Sequence, residues 1–321
     1  MLTSWTSMAT MLMEVVERGD VELVKILLKA GCDVSCSVDD YGNKALHIAA
    51  NAGNVELINL LLDSGCDVSA RNIHGDTALL IAVKAGHLQA FQRLLEAGSE
   101  FDPHEERNIW GLTPLMYAVR NDHIDIVNFL LARIDCVNHA NRGGQTALLE
   151  ACNGGFMDCT DALLRAGASP EMADVHGQSP LMVAVRKWHQ GCVKVLLQHG
   201  ANPCKESVTL HSRRWVSMTP MYAALYSGRI DMVRMLWATR PCSEADLFRF
   251  SLVPDLRQRV EEQNPDVWAW LVTNCQTPHS LGSLCHRAVS QLVGYTSGRN
   301  CRLQSLDVPA ELKKKLLLLD L

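Results

Sequence analysis

The stretch Asn108–Ala118, NIWGLTPLMYA, carries a skeleton of Gly, Thr, Pro and Leu that returns along the whole first part of the chain. Its local chemistry marks a helix start. Thr113 suits the N-cap, where its hydroxyl accepts from an orphan backbone N–H, and Pro114 suits the first helical position, where a missing N–H costs nothing. Leu115 is then the first residue of the apolar face.

With that leucine as anchor, equivalents fall at Leu12, Leu46, Leu79, Leu115, Leu148, Leu181 and Met221, in steps of 34, 33, 36, 33, 33 and 40 residues. Fifteen residues after each anchor comes a second apolar pair: Leu27-Leu28, Leu61-Leu62, Leu94-Leu95, Leu130-Leu131, Leu163-Leu164, Leu196-Leu197 and Leu236-Trp237. Four residues further, Gly31, Gly65, Gly98, Gly167 and Gly200 stand where a helix stops in the left-handed region, with Ile134 and Arg240 in the other two units. Each unit therefore reads helix, short turn, helix, glycine, then a polar loop to the next cap at Thr77, Thr113, Thr146, Ser179 or Thr219. One such pair cannot bury its own apolar face, so neighbours must stack.

A period of about 33 residues with TPLM, SPLM and KALHIAA resembles the ankyrin repeat over residues 8–239. The expected fold is an all-α ankyrin solenoid of about seven repeats. Only His47 supplies the motif histidine; Leu80, Met116, Leu149, Met182 and Tyr222 fill the other units, trading a local hydrogen bond for packing. The anchor-to-pair offset is constant, so extra residues lie in the loops that become fingers. Two fingers are lengthened, at Pro103–Arg107 and Lys205–Met218, the latter carrying Arg213, Arg214 and Trp215. Residues 240–277 lose the register and read as an irregular helical cap, with patches at Glu244–Leu252 and Pro265–Val272.

Residues 278–321 hold no ankyrin anchor. After Ser280, the residues Leu281, Leu284, Cys285, Ala288, Val289 and Leu292 form an unbroken helical stripe that ends near Gly294. A second helix is suggested from Pro309, with Leu312, Leu316 and Leu319 on one face. Two short helices cannot enclose a full core, so a partner is expected. Ser280, Leu281, Cys285 and Val289 match the elongin-binding pattern of the suppressor-of-cytokine-signalling (SOCS) box, with LDVPAELKKKL following at the place of its cullin-binding segment. Leu306, Val308, Pro309 and Leu316 agree with that segment, and Leu312, on one helical face with Leu316, joins them as a candidate cullin contact, whereas Asp307 and Lys315 replace a proline and a tyrosine.

The architecture resembles the ankyrin-repeat and SOCS-box family. The resemblance implies a substrate receptor that brings elongin B, elongin C and cullin-5 to a target protein, with elongin contacts at Ser280, Leu281, Leu284, Cys285, Ala288 and Val289. An alternative is a scaffold or inhibitor that binds elongin without engaging a cullin.

The remaining features point to protein partners and to no catalysis. A net charge of −5 and the absence of a long apolar run argue against general nucleic-acid binding and a membrane span. The N-terminal ten residues lack a signal-peptide pattern, so the expected compartment is the reducing cytosol, with the nucleus second. The twelve cysteines include no CxxC pair and read as core thiols, so no metal or cofactor is expected. Cys152 and Cys159 lack a His and acid partner in the repeat register. His87, His123 and His189 recur eight residues after their anchors and read as turn residues.

Candidate target contacts are the loop-tip residues Tyr41, His74, Trp110 and His176, with Trp215 in the long finger. Trp110 has the alternative of folding onto its own stack. Five residues past the anchors, Asn51, Lys84, Arg120, Asn153, Arg186 and Tyr226 should line the inner helices, and their basic members would favour an acidic target segment.

Overall fold

The computed structural model describes residues 11–33, 39–98, 106–203, 205–211, 214–239 and 265. Residues 278–321 and both helical patches of the expected cap, apart from Pro265, lie outside that set. The chain divides into two compact units, Met1–Ala201 and Asn202–Leu321.

The first unit is a stack of helix pairs. Its inner and outer helices alternate: α1 (residues 11–18) with α2 (Val21–Lys29), α3 (Ala45–Ala52) with α4 (Val55–Asp63), and α5 (Ala78–Ala85) with α6 (Leu88–Ala97). Then follow α7 (Pro114–Arg120) with α8 (Ile124–Leu131), α9 (Ala147–Gly154) with α10 (Met157–Arg165), and α11 (Pro180–Lys187) with α12 (Gln190–Gln198). Inner helices α3, α5, α7, α9 and α11 pack in series, as do outer helices α2, α4 and α6, and again α8, α10 and α12. Phe91 and Phe129 meet edge to face at 5.5 Å, joining α6 to α8 across the irregular 36-residue step.

All the expected caps form. Thr77, Thr113, Thr146 and Ser179 accept from the backbone N–H three residues on, and Pro114 and Pro180 open their helices. Every anchor from Leu12 to Leu181 is buried. In the second pairs the first leucine is the core residue: Leu61, Leu94, Leu130, Leu163 and Leu196 are buried, while Leu62, Leu95, Leu131 and Leu197 lie half-buried at the edge of the stack. Gly31, Gly65, Gly167 and Gly200 adopt φ between 82° and 88° with no heavy atom near a notional Cβ, so backbone conformation alone selects glycine. Gly98 departs from the expectation. With φ −87° and ψ 104° it is extended, so α6 ends without a left-handed glycine.

The sequence also underestimated how the turns are held. His87, His123 and His189 lean across the preceding repeat, their Nε2 atoms at 3.0, 3.1 and 3.2 Å from the carbonyls of Asn51, Lys84 and Asn153. Their rings lie over Gly53, Gly86 and Gly155, where a Cβ would meet the imidazole at 2.5–2.6 Å. These histidines are inter-repeat struts, consistent with the turn reading.

The second unit contains a feature absent from the helical expectation. Its long finger is a two-stranded antiparallel hairpin, β1 (Ser207–His211) with β2 (Arg214–Met218), in register Ser207 to Met218 and His211 to Arg214. The run SVTLH facing RWVSM is rich in β-branched and aromatic residues, which favour strands when an insertion is long enough to fold on itself. Helices α13 (Pro220–Tyr226) and α14 (Ile230–Thr239) follow, with Thr219 capping α13 through the Tyr222 N–H and Met221 buried. No helix among the described residues is long and apolar enough to cross a membrane.

Candidate protein-binding face

Five fingers of the first unit share one construction. An Asx residue (Asp39, Asn72, Asn108, Asn141 or Asp174) accepts through its side-chain oxygen from the N–H groups two and four residues on, at 2.7–3.0 Å. That clamp sets a tight tip. The tips are then tied in series: Ile73 donates to the Tyr41 carbonyl, Ile109 to His74, Arg142 to Trp110 and Val175 to Gly143, at 3.0–3.2 Å. Glycine is required at Gly144, where a Cβ would come within 2.8 Å of the Val175 nitrogen.

This ladder carries the side chains at the tips into one row. The rings of Tyr41 and His74 lie 5.9 Å apart, and those of His74 and Trp110 stack at 5.3 Å and 30°. Trp110 therefore leans on its neighbouring finger and is still 47% exposed; Tyr41 is 57% exposed. Ile73, Ile109 and Val175, each next to a tip residue, are also exposed. The row ends at Gly143, which has no ring to continue it, so exposed His176 stands apart from Tyr41, His74 and Trp110. The side chain of Trp215 lies outside the described residues, and only its backbone pairing with Leu210 is placed.

A buried network holds the Trp110 finger. Tyr117 on α7 donates its hydroxyl to Asp76 Oδ1 at 2.9 Å and accepts from Asn108 Nδ2 at 2.8 Å. Burial, then the Asp76 carboxyl, pushes the Tyr117 phenol well above its ordinary range, so it stays a donor. The lengthened finger at Pro103–Arg107 is anchored where it is described: Glu106 accepts from the Thr77 hydroxyl and pairs with Arg71 at 3.6 Å, and Arg71 also donates to the Arg107 carbonyl at 2.6 Å.

Two clefts lie between the tips and the inner helices. One is lined by Lys84, Trp110, Tyr117, Arg120, Arg142 and Gln145. The other is lined by Gln145, Asn153, Asp174, Gln178, Arg186 and Lys187. Arg120 is less available than its position suggested: it forms a two-pronged ion pair with buried Glu150, at 2.6 and 3.3 Å. Arg186 donates to Gln178 Oε1 at 3.0 Å. Arg142, Lys187 and the exposed isoleucines escaped sequence reading; the signal for Arg142 was its place just before a tip, aligned with Ile73, Ile109 and Val175.

Among the described residues, four of the six thiols are core groups, Cys32 among them, whereas Cys66 is half-buried and Cys136 is exposed, against the expectation. Cys152, Cys159 and Cys192 are buried, and burial holds Cys152 well above its ordinary value and pushes Cys159 up to about 12. His47 is likewise buried. Its Nδ1 accepts from the Lys44 N–H at 3.0 Å, which leaves Nε2 to donate to the Ala70 and Asp76 carbonyls at 3.1 and 3.2 Å.

Stacked helix pairs tied by hydrogen-bonded fingers, with an exposed face, define a repeat-built interaction domain. Family comparison agrees: the model for ankyrin repeats (3 copies) matches residues 4–72, 66–139 and 132–207. The chain belongs to the ankyrin-repeat family. Among solved structures, the ankyrin repeat domain of human ASB11 is 24% identical, covering 72% of this chain and 98% of that one with a TM-score of 0.61. The ankyrin repeat domain of Bcl-3, described as a unique member of the IkappaB protein family, is 24% identical over 70% of this chain and 97% of that one, with a TM-score of 0.57. An ankyrin repeat domain from Acinetobacter baumannii is 32% identical over 60% and 98%, with a TM-score of 0.51. No curated protein sequence matches the chain.

Proposed function

We propose that this protein is the target-recognition adaptor of an elongin B/C–cullin-5 ubiquitin ligase. The ankyrin repeats hold a target protein, with Tyr41, His74, Trp110, Arg120, His176, Arg186 and Trp215 as candidate contacts. Residues 278–321 form a SOCS box whose Ser280, Leu281, Leu284, Cys285, Ala288 and Val289 bind elongin C, and whose Leu306, Val308, Pro309, Leu312 and Leu316 engage the cullin. Its work is done in the cytoplasm, with the nucleus as a second site.

One observation carries this: an ankyrin domain with an exposed aromatic row shares its chain with a C-terminal stripe in the elongin-binding pattern. In mechanism the adaptor performs no bond chemistry. It raises the concentration of target lysines near a conjugating enzyme, as any linked pair of binding modules raises the second encounter's effective concentration.

Co-expression of the full chain with elongins B and C and cullin-5 tests it. Native chain should recover all three, and Leu281→Asp with Cys285→Asp should lose them. Recovery of no elongin by the native chain would refute the adaptor. A second reading is kept by Asp307 and Lys315, which replace the proline and tyrosine of the cullin segment: elongins would then be recovered without cullin, as for a scaffold or inhibitor.

A further inference from the structure

The exposed face of the first unit changes chemistry along its length. At fingers one to three it is aromatic and aliphatic, through Tyr41, Ile73, His74, Ile109 and Trp110. From Trp110 onward it is cationic. Lys84 and Arg142 line the first cleft beside that indole, and Arg186 and Lys187 line the second. The nearby carboxylates offset only part of this charge, since Asp174 in the second cleft faces Arg186 and Lys187 as a single anion. Glu150 is paired with Arg120, and Asp174 keeps its charge while its Oδ1 accepts from the His176 and Gln178 N–H groups at 2.9 Å, leaving the cations in excess. Lys84, Arg142 and Lys187 form no ion pair among the described residues. This concentration of positive charge sits in a chain of net charge −5, so it is a local feature and not a consequence of composition.

We infer that this face recognises a bipartite extended segment of the target protein, an apolar or aromatic stretch laid along the Tyr41–His74–Trp110 row joined to an acidic stretch seated over Arg142, Arg186 and Lys187. Trp110 is the junction, because it belongs both to the ring row and to the lining of the first cleft. The inner helices α5, α7, α9 and α11 are successive neighbours, so at roughly 8–10 Å per packed helix the cations from Lys84 to Arg186 span roughly 25–30 Å. An extended segment covers that in about eight residues at ~3.3 Å each. Apolar burial on the rings supplies affinity, and the charges supply register and selectivity. The inference rests on the target-holding role proposed above and is independent of the elongin partner.

Panning a phage-displayed random 12-residue library on the immobilised full chain tests it, in parallel with Trp110→Ala and with Arg142→Glu combined with Arg186→Glu. These side chains are exposed, and unchanged melting temperatures would confirm that the variants fold. Enriched peptides should combine an aromatic or aliphatic run with at least two acidic residues. Their binding should fall at least tenfold with either variant, and the charge-reversed chain should lose the acidic preference. Enrichment of neutral or basic peptides, binding insensitive to the reversal, or no enrichment above an unrelated protein would overturn the inference. So would a single-stranded oligonucleotide that binds more tightly than the peptides and displaces them. Panning reads the ankyrin face alone, so a failure of elongin binding would leave its result standing.

Discussion

At the residue scale, buried polar groups decide how firmly the fingers are held. Tyr117 connects Asp76 of one finger with Asn108 of the next, and all three are buried. Tyr117→Phe keeps the ring and strands both partners, so it should cost about 1–3 kcal/mol in chemical denaturation. A loss below a few tenths would mean water replaces the hydroxyl. His47 gives a pH dependence of definite sign. Burial lowers its folded-state value below the ordinary 6.5, so the unfolded chain takes up the proton first as pH falls. Its contribution is complete above pH 6.5 and is lost as the pH drops below that. The melting-temperature gap between native chain and His47→Gln should therefore narrow from pH 7.5 to pH 5, and a constant gap would contradict the assignment. These residues were partly legible. His47 stood out as the motif histidine, whereas nothing in the spacing marked Tyr117, whose role depends on a contact with a residue 41 positions away.

At the element scale, each inner helix is written locally and each finger is not. The cap, the proline and the anchor leucine act within one turn, so α7, α11 and α13 could be placed from their TPLM, SPLM and TPMY starts. Thr113→Ala removes the acceptor of the Met116 N–H, 3.3 Å away, and should cost about 1 kcal/mol. Thr113→Ser should restore most of it; equal loss in both would place the effect in packing around the methyl group. Fingers depend on their neighbours. Alignment by the cap found Tyr41, His74, Trp110 and His176, but which rings meet is set by the backbone ladder and by Gly143, which ends the row. The hairpin of Ser207–Met218 was legible only as an insertion, because ladder pairing is a relation between two strands and not a period within one.

At the scale of the whole molecule, the proposed adaptor would have two binding ends. The ankyrin fold was legible almost entirely, because repetition multiplies a weak local signal seven times. The charge of the exposed face was half legible. Basic positions on the inner helices could be counted, but the pairing of Arg120 with Glu150 reduces its part, and Arg142 on a finger adds one. The most direct test of two separable ends is size-exclusion chromatography of the full chain mixed with elongins B and C and a fluorescently labelled acidic-aromatic peptide, reading which of them co-elute with the chain. The native chain should carry elongins and peptide together. Trp110→Ala with Arg142→Glu should keep the elongins and lose the peptide, and Leu281→Asp with Cys285→Asp should do the reverse. Elongin binding that survives the second variant, or that native chain never shows, would contradict the account.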